Sequence, residues 1–291
     1  MVTTLGNLYL WARKKLISKE NADTAHFYAQ ELLCCVTGKN KDQLLSQRDM
    51  YVGDQAWERV EAGVNRLLND EPLAYVLGEW DFYGMTLKVT PDVLIPRDDT
   101  CAVTDLVIEV AKAISGEKRI LDLCTGSGCI GLAAAKNIPD ARVTLADISK
   151  NALAVAKENV VRQKLSGRVT CTPADALGIP SAFLGKFDVI VSNPPYITTD
   201  EMTELPKSVD AYEPHLALHG GDDGLIFYRS IAKNYRAALK QGGYLCFEFG
   251  EGQGSAVAEI LSENGFTVLK LVKDFNQRER AVIARYERED V

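Results

Sequence analysis

Residues 189–197 read VIVSNPPYI, an apolar run that stops at an amide, two prolines and an aromatic ring. The apolar part predicts a strand that is buried on both faces. Proline has no backbone N–H and a fixed φ, so Pro194 and Pro195 must lead the chain out of the strand into a stiff loop. The sequence therefore predicts that Asn193 and Tyr196 lie at the carboxyl end of a buried strand, where open α/β sheets bind ligands.

The polar groups of this stretch suit a flat substrate that carries an –NH2 group. The side chain of Asn193 offers one carbonyl acceptor, and the backbone carbonyl of Pro194 offers a second. A planar amine could donate to both oxygens while the ring of Tyr196 stacks on its face. The same residues could also form a simple turn with Tyr196 in a surface groove, and the motif alone leaves both interpretations open.

Helical and strand patterns alternate after Thr100, which predicts a doubly wound, mainly parallel sheet of seven strands. The last two strands are joined by a loop alone, so we expect one antiparallel strand at the end. The predicted strands are 119–123, 142–146, 168–172, 187–192, 243–249, 267–272 and 280–286.

The first part of the chain has helical spacing of apolar residues and predicts a small helical bundle. His26 lies among apolar helix residues there, and we expect it to pack in the core. Pro72 breaks the helical pattern, and a hairpin with strands at 76–82 and 85–89 is expected to follow. We thus expect a helical bundle at 1–71, a β-hairpin linker at 72–91 and a catalytic domain at 92–291.

Composition and charge narrow the classes of function. The chain has 291 residues, of which 46% are hydrophobic and 25% charged, as in ordinary globular proteins. It has no apolar run near the roughly 20 residues of a membrane helix and no secretory signal pattern, so we expect a cytoplasmic protein. The net charge of −7 disfavours a protein that grips nucleic acid through its phosphates. Seven cysteines without a CxxC pair predict neither a disulfide framework nor a metal site.

Residues 120–131 read ILDLCTGSGCIG and predict a strand that opens into a glycine-rich ligand loop. Gly126, Gly128 and Gly131, with an acid at Asp147, also satisfy the fingerprint of NAD-binding proteins. The carboxylate of Asp122 at the strand end would repel a pyrophosphate. These features, with the amine site after the fourth strand, favour S-adenosylmethionine, and NAD remains the alternative.

Several stretches together resemble the release-factor glutamine methyltransferases, the PrmC/HemK family. The Asn-Pro-Pro-Tyr motif alone is shared by methyltransferases that act on planar amino groups of adenine, cytosine or glutamine. The further stretches are LIPRDDT at 94–100, DLCTGSG at 122–128, YEP at 212–214, GGDDGL at 220–225, EFGEGQG at 248–254 and KDFNQRER at 273–280.

The resemblance implies a Rossmann-like methyltransferase sheet of seven strands, preceded by a helical domain that helps to dock the substrate protein. It implies that the cofactor is held by Asp122, Cys124, Thr125, Gly126, Ser127, Gly128, Asp147, Asp175, Ala176 and Asn193, beside Pro96, Arg97 and Thr100. It implies that Asn193, Pro194, Pro195 and Tyr196 hold the substrate glutamine, with Asn193, Pro194 and Tyr196 catalytic.

The sequence departs from the family pattern at three places. Glycine is usual at the position of Cys124, and cysteine there predicts an ordinary φ and a slightly reshaped loop. Asp98 and Cys101 replace a proline and an acid. Ala176 stands where a bulky side chain often covers the adenine, so we expect Leu177 or Phe183 to do so.

The resemblance implies methyl transfer from S-adenosylmethionine to the glutamine side-chain amide in the Gly-Gly-Gln loop of peptide-chain release factors. The alternatives are a ribosomal-protein glutamine methyltransferase, a DNA adenine methyltransferase or a cofactor-binding scaffold that has lost catalysis. We expect a monomer whose partner is the release factor, with no membrane, metal or specific nucleic-acid binding.

Overall fold

The computed structural model describes residues 3–287, so positions 1, 2 and 288–291 of the predicted domains lie outside the described residues. The helices are α1 (Leu5–Leu16), α2 (Ala22–Thr37), α3 (Lys41–Ser46), α4 (Asp54–Leu68), α5 (Leu73–Leu77), α6 (Cys101–Ala113), α7 (Cys129–Asn137), α8 (Lys150–Arg162), α9 (Lys207–Asp210), α10 (Ile226–Asn234) and α11 (Gly254–Glu263). The strands are β1 (Thr3–Thr4), β2 (Tyr51–Val52), β3 (Glu79–Phe82), β4 (Met85–Lys88), β5 (Lys118–Leu123), β6 (Ala141–Asp147), β7 (Val169–Pro173), β8 (Phe187–Ser192), β9 (Leu239–Glu248), β10 (Phe266–Lys273) and β11 (Glu279–Tyr286).

The chain forms two compact units. The helical unit comprises the residues up to Glu79 together with Lys207–Tyr212, and the sheet unit comprises Trp80–Pro206 and the residues from Glu213 onward. In the helical unit, α1, α2 and α4 bury one apolar face each, and Asn21 caps α2 by accepting from backbone N–H groups of its first turn. His26 does not pack in this core: it is exposed, and its Nδ1 lies 2.6 Å from the hydroxyl of Tyr9.

The sheet unit contains the predicted seven-stranded sheet, in the order β10-β11-β9-β8-β5-β6-β7. All neighbours among β9, β8, β5, β6 and β7 are parallel, and β11 runs antiparallel to both β9 and β10. Apolar side chains of β5 and β8 are buried on both faces because α6, α7 and α8 pack on one side and α10 and α11 on the other. This is the doubly wound fold that the alternating pattern predicts.

The hairpin differs from its predicted form at the first strand. Residues 73–77 form the short helix α5, so β3 begins at Glu79 and not at Val76. Pro72 stands just before this helix, a place where its missing N–H costs nothing, and Gly78 ends the helix with φ of +77°. The proline thus precedes a new helix, whereas α4 has already ended at Leu68. Leu73, Ala74 and Tyr75 are buried, and their burial favours the helical turn.

Candidate functional site

A cavity opens at the carboxyl ends of β5, β6 and β8, entirely within the sheet unit. It holds roughly 1060 Å³ of space, counting its open mouth. Because parallel strands bring these ends to one edge of the sheet, the loops that follow them meet here. The lining residues are Asp92, Val93, Leu94, Pro96, Arg97, Thr100, Cys124, Thr125, Gly126, Ser127, Cys129, Ile130, Asp147, Ile148, Ser149, Ala152, Ala174, Asp175, Ala176, Leu177, Asn193, Pro195, Pro214, Leu216, Ala217 and Phe227.

The loop after β5 is held from below by Asp122. The Oδ2 of Asp122 accepts from the Thr125 hydroxyl at 2.6 Å and from the Gly131 N–H at 2.9 Å, while Oδ1 has no hydrogen-bond partner in residues 3–287. Burial raises the pKa of this carboxyl to about 7, against the two hydrogen bonds, which lower it. Asp122 and Gly128 are not among the lining residues. Asp122 therefore shapes the loop, and its direct contact with a cofactor stays a prediction.

Cys124 corrects one expectation from the sequence. Its φ is +59°, in the left-handed region, so the cysteine adopts the glycine-like conformation of the loop and not an ordinary φ. The Thr125 N–H donates to the Ala146 carbonyl of the neighbouring strand at 3.0 Å, which fixes the turn. The loop geometry is thus imposed by its contacts at the cost of local strain, on the order of 1–2 kcal/mol for a non-glycine residue.

Two substitutions at Cys124 test whether its left-handed backbone carries a conformational cost. Cys124→Gly should leave the free energy of unfolding within about 1 kcal/mol of the parent, because relief of strain offsets the added chain entropy. Cys124→Val should lose more than ~2 kcal/mol, because a β-branched side chain in this region is a severe outlier. Urea denaturation of the three proteins measures both; equal stability of the Gly and Val variants would contradict the left-handed backbone at 124.

Asp147 lies at the end of β6, as predicted, and faces the loop after β5. Its Oδ2 accepts from the Gly126 N–H and its Oδ1 from the Ser149 N–H, both at 2.9 Å. Burial raises the pKa of Asp147, and backbone hydrogen bonds oppose the rise. Each carboxylate oxygen keeps a second lone pair, so Asp147 can still accept from ribose hydroxyls.

The far wall of the cavity is apolar. Ala176 is buried there, and Leu177 lines the wall with 42% of its surface exposed. Phe183 is fully exposed and lies outside this cavity, so of the two residues expected to cover the adenine only Leu177 lines it, and contact of Leu177 with an adenine stays a prediction. Ile148 and Phe227 also line the cavity, and neither was expected from the sequence. Ile148 directly follows the predicted Asp147, and its position next to that residue could have indicated that it lines the cavity.

Asn193 lies at the end of β8 and lines the cavity, as predicted. Its Nδ2 points to the hydroxyl of Thr100, with 3.5 Å between Nδ2 and Oγ1. The side-chain carbonyl is the group left to accept a hydrogen bond from a ligand. Pro195 lines the cavity, whereas Pro194 and Tyr196 are not among the lining residues.

The Asn-Pro-Pro-Tyr loop is clamped from behind. Gln253 donates from Nε2 to the Tyr196 carbonyl at 3.0 Å and accepts from the Gly250 N–H at 2.9 Å. The Ile197 N–H donates to the Leu218 carbonyl at 2.9 Å, and the Ile197 carbonyl accepts from the Gly220 N–H at 2.8 Å. Tyr196 is partly buried, and desolvation raises the pKa of its hydroxyl to about 12, so the side chain is neutral. The predicted stacking of Tyr196 on a substrate remains a prediction.

Two buried acids lie behind the cavity wall. Glu213 pairs with Arg97 and accepts from the Ile95 N–H at 3.4 Å. Glu248 is 2% exposed, and its Oε2 has no hydrogen-bond partner among the described residues. Arg280, itself buried, lies near it, with Nη2 3.3 Å from the Asp99 carboxylate. These contacts connect the 94–100, 212–214, 248–254 and 273–280 stretches around one site.

Asn159 is a structural residue that the sequence analysis missed. Its side chain is fully buried, accepts from the Lys88 N–H at 2.7 Å, and donates to the Lys88 carbonyl at 3.0 Å and the Ser127 carbonyl at 2.9 Å. It thereby ties strand β4 to the cofactor loop. The available signal was an asparagine on the apolar face of α8, where a side chain without partners would be costly.

We expect Asn159→Ala to lower the free energy of unfolding by about 3 kcal/mol, because buried backbone groups of Lys88 and Ser127 lose their partner. The exposed Asn137, which donates to the Ala133 carbonyl in its own helix, provides the control. Asn137→Ala should change stability by less than ~0.5 kcal/mol. Equal unfolding midpoints for the two variants would show that the Asn159 bonds contribute nothing.

Comparison with known proteins identifies the family. Residues 97–208 match the family described as Methyltransferase small domain, and residues 7–78 match the PrmC N-terminal domain. A release factor glutamine methyltransferase of Thermodesulfovibrio yellowstonii is 40% identical over 257 residues, which cover 88% of this chain and 90% of that protein. This chain belongs to the release factor glutamine methyltransferase family. A relative with the same description from Clostridium acetobutylicum is 36% identical over 271 residues, 92% of this chain and 94% of its own.

The fold agrees with this family. A methyltransferase structure from Pyrococcus furiosus superposes with a TM-score of 0.53 at 17% identity, over 77% of this chain and 98% of its own. The family and fold make this chain an S-adenosylmethionine-dependent methyltransferase and confirm the predicted sheet and cofactor. The NAD alternative is wrong.

The cavity residues fit S-adenosylmethionine. Asp147 keeps acceptors for a ribose, the wall at Ala176 and Leu177 is apolar, and the acid Asp122 stands beneath the loop with an unpartnered Oδ1. The one arginine in the lining, Arg97, is already paired with Glu213. Such a site suits a cofactor with a cationic amino-acid part and not a pyrophosphate.

None of the helices in residues 3–287 is long and apolar enough to cross a membrane. The same range holds no group of three or more His, Cys, Asp or Glu side chains arranged for a metal ion. The expectation that no metal takes part stays a prediction.

Proposed function

We propose that this enzyme methylates the side-chain amide nitrogen of a glutamine in peptide-chain release factors, at their Gly-Gly-Gln loop. Its relatives are named for that reaction. The observation in the molecule that carries the proposal is the orientation of Asn193: its Nδ2 is turned to Thr100, so a carbonyl oxygen is left at the cavity to accept from an –NH2 group.

An amide nitrogen is a poor nucleophile because its lone pair is delocalised into the carbonyl, so the protein must orient it. In the proposed complex the glutamine –NH2 donates to Asn193 Oδ1 and to the Pro194 backbone carbonyl, which turns the face of the nitrogen toward the reacting carbon. S-adenosylmethionine supplies a methyl group carried on a positively charged sulfur. The two oxygens also stabilise the positive charge that grows on nitrogen, and the proton of that nitrogen then leaves to water.

The roles of the cofactor-site residues are part of the same proposal. We assign the segment Cys124 to Gly128 to the methionine part, Asp147 to the ribose, and the wall at Asp175 and Ala176 to the adenine. The Asp175 carboxylate accepts from the Leu177 N–H at 2.8 Å and is exposed, so it retains lone pairs for an adenine amino group.

The helical unit is proposed to dock the release factor. It exposes Leu45 at 70%, Met50 at 51% and Tyr51 at 70% of their surfaces, apolar groups of the kind that contact partner proteins. We further propose that the predicted domain roles hold, with docking by the helical part and catalysis by the sheet part, and that residues 72–91 link the two parts along the chain. A protein that acts on release factors works in the cytoplasm, and we propose that location and a monomeric state.

Incubation with labelled S-adenosylmethionine and four acceptors tests the function. The acceptors are a release factor, the same release factor with the Gly-Gly-Gln glutamine changed to alanine, and duplex DNA; ribosomal proteins form a fourth arm. We expect label only in the unaltered release factor. Label in DNA or in ribosomal proteins but not in the release factor would replace the proposal with the corresponding alternative.

A further inference from the structure

Glu248 is a buried acid that does not line the cavity. It ends strand β9, which is hydrogen-bonded to β8, the strand that delivers Asn193. Ser192 pairs with Phe247 in the register of these parallel strands, so Asn193 and Glu248 are the residues that follow this pair, and hydrogen bonding from Thr100 and Asn193 lowers the pKa of Glu248. A carboxylate that is 2% exposed, with no partner for Oε2 within residues 3–287, is costly, so its burial needs a reason other than stability.

The hydrogen-bond donors around Glu248 determine which way Asn193 faces. An ionised carboxylate can only accept, so the single proton of the Thr100 hydroxyl is directed to Glu248. The Thr100 oxygen is then free to accept, and Nδ2 of Asn193 lies 3.5 Å from it. With Nδ2 taken up in this way, Oδ1 of Asn193 is directed to the cavity.

We propose that Glu248 is a positioning residue for methyl transfer: acting through Thr100, it fixes the amide of Asn193 so that its carbonyl, and not its –NH2, meets the substrate amide. The inference rests on the proposed function of Asn193. If Glu248 could also donate, the Thr100 proton could reverse and Asn193 could rotate. Its –NH2 would then face the –NH2 of the substrate, and no hydrogen bond could form between two donors.

The protonation of Glu248 gives the inference a pH signature. Burial raises the pKa of Glu248 to about 7, and the charge of Asp99 adds to the rise. Hydrogen bonding from Thr100, the charge of Arg280 and hydrogen bonding from Asn193 lower the pKa and so oppose the rise. The ionised form is the one that orients Asn193, so activity should be present above this pKa and fall as the pH drops through it. The polar and titratable groups that face Glu248 from the surrounding elements are Asp99, Thr100, Cys101, Cys129, Asn193, Tyr196, Tyr228 and Arg280.

The experiment compares Glu248→Gln, Thr100→Val and the double variant with the parent, using a release factor and S-adenosylmethionine. Each single variant should lower kcat by roughly 10- to 100-fold, the effect of one misdirected hydrogen bond. Cofactor affinity, measured by calorimetry, should change little in Glu248→Gln. The double variant should be no slower than the slower single variant, because both break one chain of hydrogen bonds. The fall of kcat at acid pH should disappear in Glu248→Gln.

Thr100→Ser keeps the hydroxyl and should restore most of the activity lost in Thr100→Val. The inference would be overturned if Glu248→Gln kept the kcat of the parent and its fall at acid pH. It would also be overturned if the losses of kcat in the two single variants added fully in the double variant. If Glu248→Gln does not fold, the activities of Thr100→Ser and Thr100→Val test the inference instead. Equal activities of these two variants would overturn the inference. A parent enzyme that does not label the release factor would instead remove the proposed function, so the two failures are distinguishable.

Discussion

Asn193→Ala is expected to reduce methyl transfer to a release factor by at least 10²–10³-fold, on the order of the loss from removing one group that stabilises transition-state charge. The alanine offers no carbonyl, so the substrate amide loses the acceptor that orients it. The backbone of the Asn-Pro-Pro-Tyr loop should persist, because it is held by Gln253 and by the Ile197–Gly220 pairing. Single-turnover rates with saturating cofactor measure the loss without contributions from product release.

The exposed Asn137 serves again as the matched control, since it lies on α7 outside the cavity lining. Asn137→Ala should retain the parent rate. Calorimetric titration with S-adenosylmethionine checks that Asn193→Ala still binds the cofactor, with affinity lowered less than the rate. A rate for Asn193→Ala close to that of the parent would exclude Asn193 from the mechanism.

Gly224→Ala is the second substitution with a large expected effect. Gly224 is buried with φ of +71°, and a Cβ there would lie 2.3 Å from the Tyr196 carbonyl oxygen and 2.5 Å from Gln253 Nε2. The first of these atoms is backbone, so the Asn-Pro-Pro-Tyr loop itself must move. We expect a loss of about 2–5 kcal/mol in the free energy of unfolding from strain and overpacking. We expect roughly a 10²-fold fall in kcat/KM from displacement of the loop.

Gly116→Ala separates the conformational cost of a positive φ from the steric clash of an added Cβ. Gly116 has a similar φ of +75° but nothing within 4 Å of an added Cβ, so alanine there carries only the conformational cost of roughly 1 kcal/mol. Its activity should equal that of the parent. If thermal unfolding and kcat/KM were alike for the Gly116 and Gly224 variants, the close approach of Gly224 to Tyr196 would have no role in shaping the site.

The sheet and the location of the site were predictable because their signals are local. Apolar runs such as 187–192 are buried on both faces, and polar residues that follow parallel strands must meet at one edge. Asp147 and Asn193 therefore lie where the sequence places them. The helix α5 was missed because a five-residue apolar segment has no periodicity that separates helix from strand.

The remaining differences come from contacts between distant parts of the chain. Cys124 has a left-handed φ because the loop around it is fixed by β6, which outweighs the preference of cysteine itself. Thr100 and Asn193 are separated by 93 positions, so their hydrogen bond and its dependence on Glu248 leave no local pattern. His26 has the spacing of a core residue, but the surface of α2 on which it lies is exposed.

The most direct test of the proposed substrate site is a crystal structure of the enzyme with the demethylated cofactor product and a Gly-Gly-Gln peptide. We expect the glutamine amide nitrogen within hydrogen-bond distance of Asn193 Oδ1 and the Pro194 carbonyl oxygen, with Asn193 Nδ2 still directed to Thr100. A glutamine side chain bound outside this cavity, or Asn193 turned away from its amide, would contradict the assignment of Asn193 as the group that presents the substrate nitrogen.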